Sequence, residues 1–416
     1  MFLRSYFSKF GKYSQVTFSL CLLSTILNIG FGVMIPYLPL FARRIGASPT
    51  QVGFVISSFM IGRAISASTF GKRSDIVGRK PMIISGVLAF GLTSALMVFS
   101  FNWVVLSILR FLQGFAAGIA WPMAEALLVD SVPPKIRGEA LGIYVSTLQL
   151  GFFLGPGVGG LLYFLAESLT GSALLGYSIP LLFTGIFAFI AAFYAKSSIK
   201  DVYVGVEKMD ESFELEIDER EVRRDIFSFY GVSFCNGFAL GLIIPIFALL
   251  FVDVLELKPA LLGMVMMVGG SVGVFMNPFT GILADRIGRK PLTVFGLTLS
   301  GIVGVLFGFV RTLFETTSIF VLRSFSFAFY FPAFRALQAN TIPPQIRGRV
   351  MGRIQASFNM GAVVGPMVGT YLYELFLEEK FYFRGHEFLG AAIPFALTSL
   401  LMFSSALTVF LVTKER

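Results

Sequence analysis

Charge is what this 416-residue chain has least of: Asp, Glu, Lys and Arg make up only 14% of it, against about 25% in an ordinary soluble domain. Cysteine, histidine and tryptophan are nearly missing, with two, one and two copies. Cys21 and Cys235 stand inside apolar stretches with no CxxC spacing, which argues against a disulfide scaffold and a cysteine-bound metal. No GxxxxGK[ST] phosphate loop is present, so direct ATP drive is not expected. The single histidine, His386, lies far from the one GxSxG match at Gly269–Gly273, so a hydrolase elbow is not expected either. Gly155–Gly160 matches GxGxxG, but it stands inside an apolar helix with no strand before it, so it is not a dinucleotide fingerprint. No long polar domain interrupts the chain.

What is present is oil. Apolar residues are 56% of the sequence, with 48 Phe, and the mean hydropathy is +0.80. A soluble fold cannot hide that much apolar surface. The surplus of +9 charges is therefore a topological signal and not a nucleic-acid-binding surface. With about 20 apolar residues needed per crossing, twelve spans are predicted. They lie near 14–41, 51–70, 82–101, 103–130, 139–164 and 177–196, then near 227–251, 260–280, 291–310, 317–339, 349–376 and 388–413. Continuous apolar runs mark them as helices and not barrel strands. The first run lacks a small-residue cleavage pattern and is read as a retained helix.

Lys and Arg are distributed unevenly between alternate loops. With the N-terminus inside, inner segments hold 23 of them and outer loops hold 6, which places both termini in the cytoplasm of a cell-membrane protein. The longest polar segment, 197–226, is read as an acidic cytoplasmic linker. It separates an N-terminal bundle, 1–196, from a C-terminal bundle, 227–416.

An internal repeat supports that division. Gly71, Asp75, Gly78, Arg79, Lys80 and Pro81 recur 210 residues later as Gly281, Asp285, Gly288, Arg289, Lys290 and Pro291. Pro133, Arg137 and Gly138 recur as Pro343, Arg347 and Gly348, and Gly155, Pro156 and Gly159 as Gly365, Pro366 and Gly369. The chain is predicted to be all-α, with twelve transmembrane helices in two pseudo-symmetric six-helix bundles. Because six is even, the repeats are parallel, and a central site is expected at their interface.

On these motifs the chain resembles the major facilitator superfamily along its whole length. The doubled Gly-x3-Asp-x2-Gly-Arg-Lys loop looks like that superfamily's motif A. Gly151, Gly155, Pro156, Gly159 and Gly160 look like the motif of its exporter branch. Arg110, Gln113 and Gly114 resemble the drug:proton antiporter motif, and Gly32, Pro36 and Pro39 fit twelve-helix drug exporters. The resemblance implies alternating access, with a cytoplasmic gate built by Gly71, Asp75, Gly78, Arg79, Asp130 and Arg137. The second repeat would supply Asp285, Gly288 and Arg289, with Asn340 standing where Asp130's counterpart would be. Gly151, Gly155, Pro156, Gly159, Gly365 and Pro366 are expected to serve packing and rocking.

Charges inside spans are functional candidates by default. They are Arg63, Arg110, Glu125, Arg323 and Arg335. At 100° per residue, Arg110, Gly114, Trp121 and Glu125 form one stripe on the fourth span. Glu125 and Arg110 are the expected proton-coupling pair. Arg63, Gln113, Trp121, Arg335, Asn28, Asn236 and Asn277 are the expected substrate cavity. Glu125 and Arg335 are equivalent in the repeat and are expected to pair or to compete for substrate. The abundant Phe and Met residues are expected mostly on lipid and neighbouring helices. The expected partners are a small-molecule substrate, protons and the bilayer, with no nucleic acid, cofactor or metal, for a monomeric chain. Two readings follow: a proton-coupled exporter of hydrophobic or amphiphilic molecules, or a carrier or flippase of organic or lipid-like anions favoured by the arginine surplus. A transport-dead receptor on the same scaffold is disfavoured by intact motifs in both halves.

Overall fold

The computed structural model describes residues 13–133, 136–199, 220–343, 346–383 and 385–413. Most of the predicted linker therefore lies outside the described residues. Of Gly71, Asp75, Asn277 and Asp285 only the backbone is described. Twelve long helices follow one another. The first six are α1 (Ser14–Met34), α2 (Pro49–Val77), α3 (Arg79–Leu96), α4 (Trp103–Ser131), α5 (Arg137–Thr170) and α6 (Ala173–Ser198). The second six are α7 (Arg220–Leu249), α8 (Pro259–Ile287), α9 (Arg289–Leu306), α10 (Leu313–Thr341), α11 (Arg347–Leu375) and α12 (Ile393–Val412).

Local signals explain the boundaries. The side chains of Asn102 and Ser172 accept hydrogen bonds from the N–H groups of Val105 and Leu175, capping α4 and α6. Thr312 and Glu315 form a reciprocal capping box on α10. Pro259 opens α8 at a position where its missing N–H costs nothing. The first predicted span departs from expectation. It is broken after Met34 and resumes as a two-turn helix, Tyr37–Arg44, because Pro36 has no N–H to give the ladder.

Among the described residues ten helices are long and apolar enough to cross a membrane, and α2 and α11 are the more polar pair. The loop between α11 and α12 is not structureless. Lys380–Phe383 pairs antiparallel with His386–Leu389 through a turn at Gly385, whose φ is +84°. The consecutive aromatic residues Phe381, Tyr382 and Phe383 favour extended backbone here, and Phe388 packs edge-on to Phe309 at 5.4 Å. This hairpin is the described exception to the all-α expectation.

The chain forms two compact units. The first holds Met1–Gly46, Ser58–Lys208 and Pro259–Met267, and the second holds Ala47–Ser57, Met209–Lys258 and Val268–Arg416. The first turns of α2 thus group with the later helices, and the first turns of α8 with the earlier ones. Within the first unit α1 packs on α5, and α3 on α4 and α6. Within the second, α7 packs on α11, and α9 on α10 and α12. The sequence repeat is therefore a repeat of packing. The first core joins Leu20, Leu23 and Leu27 to Ile83, Val87, Leu127 and a run of alanines on α6. The second joins Phe229, Leu297, Phe334, Leu337 and Val409.

Gly78 and Gly288 make the sharp turns between α2 and α3 and between α8 and α9. Their dihedrals, φ 94°, ψ 149° and φ 96°, ψ 153°, are open essentially to glycine alone. Gly78→Ala and Gly288→Ala should each destabilise the fold by about 1–3 kcal/mol, read as a lower melting temperature of detergent-purified protein. Gly142→Ala is the matched control, because nothing lies within 4 Å of a side chain added there. It should leave the melting temperature unchanged or raise it.

Candidate functional site

Three glycines decide how close α2 comes to α4. A Cβ on Gly62 or Gly114 would overlap the carbonyl of Phe111 or Phe59. One on Gly118 would stand 2.5 Å from the Arg63 carbonyl oxygen and 3.1 Å from its Cα. Small residues four apart on α4 thus let the two backbones touch, as in other membrane helix pairs. The contact brings Arg63 of α2 beside Trp121 and Glu125 of α4.

Around that point the side chains sort by chemistry. The Arg63 guanidinium carbon lies 5.4 Å from the centre of the Trp121 ring, within cation–π range. Arg63 and Glu125 interact electrostatically. Both are exposed at the surface of the unit, although protein surrounds them on several sides. The buried Tyr144 of α5 lies in the neighbourhood of Glu125. Within its own unit, then, the cation that answers Glu125 is Arg63.

Beside this pair stands an aromatic cluster centred on Phe31. Its ring stacks on Phe59 at 5.4 Å and meets the edge of Trp121 at 5.5 Å. Phe90 and Phe152 each lie 6.2 Å away, and Phe90 also meets Trp121 at 5.6 Å. Such pairs contribute about 0.5–1.5 kcal/mol each beyond burial, so the Trp121 ring is held in place. A small apolar cleft lined by Leu27, Val87, Phe90, Ala117, Ala120 and Trp121 opens next to it. Phe31, Phe59, Phe90, Phe152 and Tyr144 were not singled out from sequence. Among 48 Phe nothing marks them, whereas the spacing of Gly114 and Gly118 does carry a signal.

Arg110 occupies a different place. It is 3% exposed and lies over the Phe59 ring at 4.4 Å. It donates a hydrogen bond to Gln113 Oε1. Gln113 in turn donates to Ser94 Oγ at 2.6 Å and toward Met34 Sδ at 3.8 Å. The shared stripe does not join Arg110 to Glu125. Fifteen residues at about 1.5 Å per residue put them about 22 Å apart along α4. Arg110 and Gln113 form a buried polar network inside the helices, and the accessible face near Glu125 belongs to Arg63 and Trp121.

In the second unit Arg335 donates to Gln355 Oε1 at 2.6 Å, and Gln355 donates to Asn359 at 3.1 Å. The Arg335 guanidinium also lies 5.5 Å from the Phe331 ring. Asn28 and Asn236 make equivalent bonds, each to the carbonyl one turn back on its own helix, Ser24 and Val232, both at 2.9 Å. That local bond gives both asparagines a structural role, although the Asn236 Oδ1 has no hydrogen-bond partner among the described residues.

The Gly-Arg-Lys turns organise one end of the helices. Arg79 pairs with Asp130 at 2.6 Å, with each side chain about a fifth exposed. Pairs this accessible contribute about 1 kcal/mol or less. Arg137 donates to the carbonyls of Val129 and Val132 at 3.0 and 3.2 Å, completing the end of α4. In the second repeat Arg347 donates to the Ile342 carbonyl. The exporter-type glycines pack helices together. Cβ atoms on Gly151, Gly155 and Gly159 would lie 2.5–2.6 Å from carbonyls of α1. A Cβ on Gly365 would lie 2.4 Å from the Phe238 carbonyl oxygen of α7 and 2.9 Å from the Gly241 Cα, and the Pro156 and Pro366 carbonyls meet Gly263 and Gly53.

Two repeats of long apolar helices, with arginines and a glutamate held among them, define a membrane carrier. A family model described as Major Facilitator Superfamily matches residues 20–212 and 229–416. The chain belongs to the major facilitator superfamily, as a membrane-embedded secondary transporter of small molecules and not an enzyme. It is 26% identical over 384 residues to Multidrug resistance protein 2 of Bacillus subtilis, a match covering 89% of this chain and 92% of the relative. It is 28% identical over 375 residues to Multidrug resistance protein MdtG of Proteus mirabilis, covering 88% and 90%. Its fold is similar to that of a bacterial homolog of the human lysosomal transporter Spinster, solved in an inward-facing and occupied conformation. The TM-score is 0.79 at 16% identity, with 97% of each chain covered.

The α2–α4 contact is directly testable. Gly118→Val should push Arg63 away from Trp121 and cost about 1–3 kcal/mol through overpacking. The measurement is the melting temperature of the detergent-solubilised variant.

Proposed function

We propose that this transporter is a proton-coupled exporter of hydrophobic and amphiphilic small molecules in the cell membrane. It works as a monomer by alternating access, with both termini in the cytoplasm. The observation that carries this reading is the placement of Glu125. It is the one acidic side chain set deep within the predicted spans, and it stands accessible beside Arg63 and an aromatic wall. Intramembrane acids of this kind mark proton and substrate pathways. The multidrug resistance names of the two relatives, which match over nearly their whole lengths, point the same way.

The chemistry is an exchange of counter-charges. Arg63 favours the ionised carboxylate of Glu125 by Coulomb attraction, while low dielectric favours the neutral acid. A substrate that engages the ionised Glu125 keeps the proton off it, and protonation of Glu125 ends that engagement, so substrate and proton occupy the site alternately. Export of one species is then tied to uptake of the other. The Arg79–Asp130 pair is read as the cytoplasmic latch that this exchange must release. Arg110, buried with Gln113 and Ser94, holds α4 in position. The anion-carrier reading rests on Arg335, whose hydrogen-bond partner is the neutral Gln355.

Glu125→Gln in proteoliposomes should lower proton-driven ethidium efflux by at least about tenfold, a loss near 1.4 kcal/mol of coupling, while insertion and melting temperature stay near wild type. Efflux at the wild-type rate would remove Glu125 from the coupling step. Accumulation of organic anions in place of ethidium efflux would favour the second reading.

A further inference from the structure

Helices α3 and α9 end in the same way, each with one 3₁₀ turn, Met97–Phe99 and Phe307–Phe309. In the first repeat two aromatic rings extend the exposed side of the helix. Leu88, Leu92 and Leu96 are exposed at four-residue spacing, and Phe99 and Phe101 beyond them are 77% and 76% exposed. Aromatic rings at the end of an apolar stripe are suited to the membrane–water interface. In the second repeat, at the same offset of 210, Phe309 stands for Phe99 and Arg311 for Phe101. A cation at that position removes an aromatic anchor and sets a charge at the end of an apolar helix.

The Lys380–Leu389 hairpin answers both changes. Arg311 donates to the carbonyls of Val310 and Glu387, both at 2.7 Å, and lies 3.5 Å from the Glu387 carboxylate, which also pairs with Lys380 at 3.2 Å. Phe388 packs over Gly308, where an added Cβ would overlap its ring, and over Phe309. Side chains alternate between the two faces of a strand, and the register sets Phe381 opposite Phe388 and Tyr382 opposite Glu387. One face therefore carries Phe381 and Phe388, and the other carries Lys380, Tyr382 and Glu387. Phe381 is 43% exposed, and with Phe388 and Phe309 it prolongs the exposed row of Ile302 and Val305 on α9. The first repeat has no such element, because only Gly171 and Ser172 join α5 to α6. Thr184 and Thr398 each donate to the carbonyl of a proline four residues back, Pro180 and Pro394. That match aligns α6 with α12 at an offset of 214, four more than elsewhere. It sets Glu387, in a strand, where Ala173 starts a helix.

We propose that this hairpin is a membrane anchor, laid on the headgroup–acyl boundary of the leaflet at this end of the helices. Phe381 enters the acyl chains, while Lys380 and Tyr382 face headgroups and water. An amphipathic element binds an interface through its apolar face and keeps its charges at headgroup level. The partner is lipid, because the aromatic face continues the exposed apolar surface of α9 in a membrane-embedded carrier. A two-stranded hairpin is also marginal in water on its own, and an apolar surface against one face supplies what it lacks. The anchor ties the α11–α12 connection to the bilayer, whereas the α5–α6 connection has no such tie.

The test uses the full-length protein in phosphatidylethanolamine–phosphatidylglycerol vesicles, with Cys21→Ala and Cys235→Ala removing both native thiols. A nitroxide is placed at Phe381→Cys or Tyr382→Cys, with Leu92→Cys as the apolar reference. Collisions with oxygen, which partitions into acyl chains, and with a neutral nickel chelate, which stays in water, give the depth of each label. The label at 381 should lie about 5–10 Å inside the headgroup–acyl boundary, and the label at 382 should lie shallower. Nickel as accessible at 381 as at 382 would put the hairpin in water and overturn the proposal. Protection of 381 from both reagents would place it against protein, another copy of the chain included, and would overturn it too. Phe381→Trp repeats the test with a smaller change to the side chain. Phospholipid brominated near the headgroup should then quench emission beyond the contribution of Trp103 and Trp121, and no added quenching would count against the anchor.

Discussion

In a bilayer one helix can approach another only as closely as its smallest side chains permit. Lipid tails are as apolar as leucine, so helices gain little from hydrophobic burial against each other and rely on close packing and polar contacts. This chain uses glycine for that purpose at matched places. Gly151, Gly155 and Gly159 seat α5 on α1, and Gly361, Gly365 and Gly369 seat α11 on α7. Gly62, Gly114 and Gly118 seat α2 on α4. Each contact would be lost to a methyl group, and the last one places the charged side chains of the candidate site.

Once α2 and α4 touch, the remaining chemistry follows from a small number of polar groups. Arg110 is deeply buried, so it needs neighbours that accept its protons and stack on its plane, and Gln113 and Phe59 serve. Arg63 is accessible and leans on Trp121. Two arginines with one formal charge each thus take different parts because their depths and neighbours differ. Arg79 and Arg137 show the same division at the Gly-Arg-Lys end. One pairs with Asp130, and the other satisfies backbone carbonyls that the end of α4 leaves open.

The two repeats share an architecture more strictly than they share polar chemistry. The packing pairs of the first unit recur in the second, and both sharp turns are made by glycines within a few degrees of each other in φ and ψ. The span charges do not recur. Glu125 is matched by Arg335, and Asp130 by Asn340. Gln113 is matched by Arg323. Packing is preserved because both bundles solve the same geometric problem, whereas the polar groups serve a site that has no reason to be symmetric.

The helices, their number, the repeat and the turns at Gly78 and Gly288 were legible in the amino-acid sequence, because apolar runs and glycine conformations are properties of neighbouring residues. The pairing of Arg79 with Asp130 was legible through the motif that holds them. The aromatic cluster was not, since Phe31, Phe59, Phe90 and Phe152 come from four different helices and look like every other Phe in an apolar chain. The helical stripe named Arg110 and Glu125 together, because angle around a helix can be counted from sequence and depth along it was set aside. Sequence by itself determined a twelve-helix, duplicated membrane carrier with its rare charges in known spans. Only the tertiary structure decided that Arg63, and not Arg110, is the cation beside Glu125. That choice depends on which helix glycine allows to come close, and a contact between two helices is recorded in neither one alone.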